Sequence, residues 1–182
     1  TWTVQTALML GVPVTGIAEA VFARGLSSEI ELRDEAAKQH FAGPQALIEL
    51  GDDERKAFID DIRHALYASK IIAYAQGFNE ITAAGKVYDW HIDLAAVARI
   101  WRAGCIIRAE FLDRISESFE TGQADVSLLF APYFKKAIEE CEASWRRIVA
   151  TCAAHGIPDP VFASSLAYFD GLRSTRLPAS LI

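Results

Sequence analysis

Apolar residues recur at helical spacing along nearly the whole chain. The alternating patterns and Asn-Gly turns that mark strands and hairpins are lacking, and Asp170-Gly171 lies inside a helical pattern. A first segment, Trp2 to Leu10, ends at Gly11. Val12-Pro13 then opens a helix to about Ser27, with Ile17, Val21 and Phe22 on its buried side. Residues 29 to 40 are polar around Ala36 and Ala37 and predict a solvated helix that stops at Gly43-Pro44, followed by a surface connection over 44 to 53. Asp52-Asp53-Glu54 supplies carboxylates for the start of the next helix, where they satisfy free backbone N–H groups and oppose the dipole.

That helix is predicted from about residue 53 to about 85, a length of about 50 Å at the usual rise. Phe58, Ile62, Leu66, Ile72 and Ala73 make one apolar stripe, and Ile59, Ile71, Tyr74, Phe78 and Ile81 make another. A helix apolar on two sides must be covered on two sides, so it reads as a central helix packed by the others or by a second subunit. Two helices, Leu94 to Trp101 and Cys105 to Phe119, flank Gly104. After a polar connection at 120 to 125, a short apolar helix is expected from Val126 to Phe130. Pro132 opens a helix to His155, Gly156-Ile157-Pro158-Asp159-Pro160 breaks it, and a last helix covers about 161 to 174. The predicted fold class is all-α, one multi-helix domain over residues 1–182 with a long central helix, a length that suits a single core. A unit of helix, Gly-apolar-Pro and helix occurs at Gly11-Val12-Pro13 and again at Gly156-Ile157-Pro158, a weak sign of duplication.

Composition narrows the classes. With 52% hydrophobic and 23% charged residues the chain is neither disordered nor collagen-like. A formal charge of −6 argues against a nucleic-acid duplex or an anionic membrane as partner, while a few placed arginines still suffice for a small anion. No apolar stretch approaches the roughly 20 residues of a membrane span, and no signal-like segment opens the chain, so a cytoplasmic location is expected. The chain begins at Thr1-Trp2 without an initiator Met and reads as an excised piece. Cys105, Cys141 and Cys152 form no CxxC pair; Cys141 and Cys152, eleven apart, share a helix face and read as small core residues.

The eleven glycines contain no GxG pair, so no Rossmann-type dinucleotide site is expected. His40, His64, His91 and His155 are scattered and read as surface or helix-end residues, with no metal expected. Arg24 follows Ile17 by seven and Val21 by three, which places it on the buried stripe of its helix. A guanidinium there needs an anion, and the pattern leaves open whether that is an internal carboxylate or a ligand phosphate. Arg102 and Arg108 flank the break at Gly104 and read as packing residues. Lys135, Lys136, Arg146 and Arg147 among Glu139, Glu140 and Glu142 read as a solvated face with mixed ion pairs.

Several stretches carry a resemblance: Trp2-Thr3, Gly11-Val12-Pro13, Val21-Phe22-Ala23-Arg24, Tyr74-Ala75-Gln76-Gly77-Phe78, the run from Trp101 to Arg108, Pro132-Tyr133-Phe134, Gly156-Ile157-Pro158 and the run from Leu177 to Ile182. In this collinear order they resemble the C-terminal helical domain of NADP-dependent, decarboxylating 6-phosphogluconate dehydrogenases. The resemblance implies a parent enzyme that oxidises 6-phospho-D-gluconate at C3 with NADP+, decarboxylates the 3-keto acid and tautomerises the enediol to ribulose 5-phosphate in the pentose phosphate pathway. It also implies a homodimer joined largely through this domain, an NADP site and catalytic lysine and glutamate upstream of Thr1, and a C-terminal tail beyond Ile182. Carried over residue by residue, Arg24 stands where the family places an arginine on the substrate phosphate, and Ile106 where it places an apolar residue bordering the substrate pocket. Thr1 departs from the family's usual Lys or Arg, and Met9 from a common acidic residue. The expectation is therefore a substrate-binding and dimerisation domain that is inactive alone, the alternative being a non-enzymatic helical dimerisation module of shared ancestry.

Overall fold

A computed structural model describes residues 1–44, 49–106 and 109–178. Among these, all regular structure is helical: α1 (Trp2–Leu10), α2 (Thr15–Ser28), α3 (Ile30–Lys38), α4 (Asp52–Tyr88), α5 (Leu94–Gly104), α6 (Leu112–Glu120), α7 (Pro132–Ala154) and α8 (Pro160–Leu172), with a 3₁₀ turn at Leu128–Phe130. No helix among the described residues is long and apolar enough to cross a membrane. The chain divides into two compact units. The first takes Thr1, Thr15–Lys70 and the chain from Cys141 onward; the second takes Trp2–Val14 and Ile71–Glu140.

In the first unit α2 packs against α8. Trp145 of α7 is fully buried there, its indole N–H donating to the Phe162 carbonyl at 3.1 Å and its ring stacked on Phe169. Ala65, Ala68, Ile148 and Leu166 fill the same core, and Cys141 and Cys152 are buried at 3% and 7% exposure, as their shared face predicts. Arg146 of α7 bonds Glu142 on its own helix and both oxygens of Asp170 on α8, while Arg147 forks onto Asp61 of α4. The Lys135–Glu139 and Lys136–Glu140 pairs are the i,i+4 contacts expected of a solvated face. Arg146 makes the same i,i+4 contact to Glu142, but it and Arg147 also reach partners on other helices, which local spacing does not reveal.

The second unit is built on α4 from Ile71 onward, where Ile71, Ile72, Tyr74, Ala75, Gln76, Phe78 and Glu80 are all buried. An aromatic cluster closes it, with Tyr74 edge-on to Phe111 and Phe78 against Phe119, each pair at 5.0 Å, and Phe78 at 5.2 Å from Trp101. α5 and α6 pack together, and Arg99 of α5 bonds Ser116 and Glu120 of α6. Asp93 caps α5 by accepting the Ala96 N–H at 3.0 Å.

Several boundaries differ from the sequence reading: α4 runs on to Tyr88 and α5 through Gly104, past the expected ends at about 85 and Trp101. α2 begins at Thr15, not at Val12-Pro13, because Gly11 in the left-handed region ends α1 and Pro13 continues the connection. α6 begins at Leu112, not at Cys105, whose extended backbone terminates α5. The apolar run 126 to 130 supplies only one 3₁₀ turn, with Val126 exposed. The repeated Gly-apolar-Pro unit has a local explanation. At both places a glycine at positive φ closes a Schellman cap, with Val12 N–H on the Ala7 carbonyl and Ile157 N–H on the Cys152 carbonyl, each at 2.9 Å. Shared capping chemistry produces the echo without requiring duplication.

Candidate functional site

α2 is thinly covered. Gly16 is its one buried residue; Ile17 and Val21 are half-buried, and Phe22 and Leu26 are 64% and 59% exposed. Arg24 is itself exposed, which corrects its expected place on a buried stripe. The i, i+3, i+7 spacing identifies residues that share a face, and here that face is half-covered as far as Val21 and open at Arg24. Among the described residues Arg24 makes no ion pair, so the internal-carboxylate alternative finds no support in these units. Its side chain is an exposed guanidinium, with five N–H donors suited to a bidentate anion.

The backbone beneath Arg24 is closely held. Ser27 Oγ donates to the Arg24 carbonyl at 2.8 Å, and Ser28 Oγ to the Gly25 carbonyl at 2.6 Å. Glu29 N–H bonds the Leu26 carbonyl at 3.2 Å, and the Arg33 guanidinium of α3 donates to the Ser27 carbonyl at 3.1 Å. Sequence reasoning missed this arrangement; Ser27-Ser28 at a helix end, followed by a basic residue one turn into the next helix, was the available signal.

Ile106 belongs to the second unit, in the turn after α5, and is 99% exposed. Arg24 and Ile106 thus stand in different units, each with its apolar or cationic group open to solvent. Arg102 bonds Asp113 at 3.1 Å, in keeping with a packing role; Arg108 lies outside the described residues. Cys105 is half-buried.

Elsewhere in the first unit an apolar groove of about 390 Å³ is lined by Phe58, Ile62, Ile148, Cys152 and Phe162, with Asp159 on its wall. Burial raises the Asp159 carboxyl above its usual value, and one of its oxygens has no partner among the described residues. Burial and the nearby Asp159 push the Cys152 thiol up, away from nucleophilic character. In the second unit burial likewise raises Glu80, whose Oε2 has no partner among the described residues. The histidines form no cluster: His40 and His91 are exposed, His155 ends α7, and His64 sits within α4 against the Asp60 carbonyl at 2.9 Å rather than at a helix end. No group of His, Cys, Asp or Glu among the described residues could hold a metal ion.

Comparison with known proteins gives this geometry its context. All 182 residues match the family described as 6-phosphogluconate dehydrogenase, C-terminal domain. The decarboxylating 6-phosphogluconate dehydrogenases of Homo sapiens and Ovis aries are 48% and 47% identical to the chain over its whole length, which covers 37% of each relative. A solved structure of the Plasmodium falciparum 6-phosphogluconate dehydrogenase, described in apo form and in complex with its cofactor NADP+ and its substrate 6-phosphogluconate, matches 99% of the chain and 38% of its own length at a TM-score of 0.90 and 36% identity. The chain therefore spans little more than a third of these relatives, and it belongs to the 6-phosphogluconate dehydrogenase C-terminal domain family.

Proposed function

We propose that this chain is the substrate-binding and dimerisation domain of an NADP-dependent 6-phosphogluconate dehydrogenase, which converts 6-phospho-D-gluconate to ribulose 5-phosphate and CO2 in the cytoplasmic pentose phosphate pathway. The observation that carries the reading is Arg24: an exposed guanidinium without an ion pair among the described residues, on a helix end whose backbone is fixed, at the position where the family has a phosphate-binding arginine. Ile106 is assigned the apolar edge of the substrate pocket, a role that suits its complete exposure.

The residues of this chain do not form a Rossmann-type dinucleotide site, since the sequence has no GxG and the described residues contain no strand to lead into a phosphate loop. NADP is assigned mainly to the remainder of the protein, and the roles assigned to this chain are substrate binding and positioning. A bidentate arginine orients the phosphate end of the substrate and leaves the reacting carbons to other groups, so its loss weakens binding more than it slows chemistry. Dimerisation is assigned to the exposed apolar face of α4, where Ile59 and Leu66 are 59% and 56% exposed.

The test is NADP reduction by the intact protein with 6-phosphogluconate. Activity is expected, with Arg24→Ala raising KM for 6-phosphogluconate by about 10- to 100-fold while kcat changes less. A KM untouched by that substitution overturns the phosphate role, and an intact protein without activity favours the non-enzymatic module.

A further inference from the structure

The last carbonyls of an α-helix have no partner within the helix, and packing or capping must hold the turn that carries them. At the end of α2 packing contributes little: Gly16 is its one buried residue, at the opposite end, and α3 buries none. Capping does the holding instead. Ser28 Oγ and Glu29 N–H bond the Gly25 and Leu26 carbonyls, and the Arg33 guanidinium bonds that of Ser27.

Arg33 is unusual among the arginines. Arg63, Arg99, Arg102, Arg114, Arg146, Arg147 and Arg173 each pair with a carboxylate, whereas the bond shown for Arg33 runs six residues back to a main-chain carbonyl. A cation at the negative end of a helix opposes its dipole, and here it also pins α3 to the end of α2. Arg24 lies in the turn so held, and its own carbonyl accepts from Ser27, the residue that Arg33 anchors.

We infer that Arg33 is a positioning residue for the phosphate arginine: acting through the Ser27 carbonyl, it keeps the last turn of α2 wound so that the Arg24 guanidinium meets the substrate phosphate in one fixed place. The inference rests on the phosphate role proposed for Arg24. Arg33 itself touches the helix end and not the substrate.

The experiment is steady-state kinetics on the intact protein carrying Arg33→Met, which keeps the aliphatic stem and removes the donors, and Arg33→Lys, which restores one. Arg33→Met is expected to raise KM for 6-phosphogluconate about 3- to 10-fold, the range of one lost hydrogen bond, with kcat and KM for NADP within about 2-fold. Arg33→Lys recovers most of the loss. In an Arg24→Ala background Arg33→Met adds less than about 2-fold, because the group it positions is gone. An unchanged KM in Arg33→Met beside a raised KM in Arg24→Ala overturns the inference and leaves the phosphate role standing. A full, additive penalty in the double variant, or an equal loss in kcat and in KM for NADP, also overturns it. If Arg24→Ala itself leaves KM unchanged, the phosphate role fails first and the positioning role falls with it.

Discussion

Gly11 and Gly156 close their helices with the same pair of hydrogen bonds and nearly the same φ, yet their surroundings differ. A Cβ on Gly11 would meet nothing within 4 Å, whereas one on Gly156 would lie 3.2 Å from both the ring and the carbonyl of Pro44. Both alanine variants carry the left-handed strain of about 1 kcal/mol, and Gly156→Ala carries a steric cost besides. Urea midpoints should therefore fall in both, and further for Gly156→Ala. Ionisable residues divide just as sharply. Glu80 and Asp159 have raised carboxyl pKa values because burial penalises the charged form, so they keep protons in the folded chain that the unfolded chain releases. Their contribution is present below the unfolded values of 4.5 and 3.8 and is lost as pH rises through the folded ones. Asp61 and Asp170 run the other way: hydrogen bonds from Arg147 and Arg146 hold them low, and their contribution is lost as pH falls through the folded values. Chemical denaturation across pH should show stability declining as pH rises from the unfolded values of 4.5 and 3.8 through the raised folded ones, and Glu80→Gln should flatten that decline. An unaltered profile in the variant would show that Glu80 does not titrate with folding.

Elements are held by contacts that the sequence discloses unevenly. The stripes of α4 and the paired cysteine face of α7 are periodic, and the acidic start at Asp52 is a local run of carboxylates; both kinds of signal are what a sequence displays. Exposure is another matter: Arg24 and Phe22 share a helix with Gly16, but nothing in residues 15 to 28 says how far the covering helix extends along them. Nor does spacing reveal a partner 24 residues away. Arg146 and Arg173 both bond Asp170 and Glu142, so either can partly stand in for the other. Arg146→Met and Arg173→Met should each be mild, and the double variant should exceed their sum by about 0.5–1 kcal/mol in a thermodynamic cycle. Additive losses would mean that the two guanidinium groups act independently.

Across the whole molecule, family membership was legible because short motifs occur in order from Trp2 to Ile182, while the state of the site was not, because the surfaces that matter face outward. Trp2, Phe22, Ile59, Leu66 and Ile106 are all exposed, a pattern suited to a chain that spans little more than a third of its relatives. If the α4 face joins two copies, Ile59→Asp with Leu66→Asp should convert a dimer to a monomer by light scattering while helical content stays unchanged. A dimer that survives both substitutions would place the interface elsewhere. α3 supplies the most sensitive gauge of such covering. Nine residues fall below the roughly 12–15 at which an isolated helix sustains itself in water, and α3 buries none of its own. Its amide protons should exchange with deuterium among the fastest of any helix in the chain alone and slow in the assembled protein, making this segment a clock that reports, from the inside, when assembly has occurred.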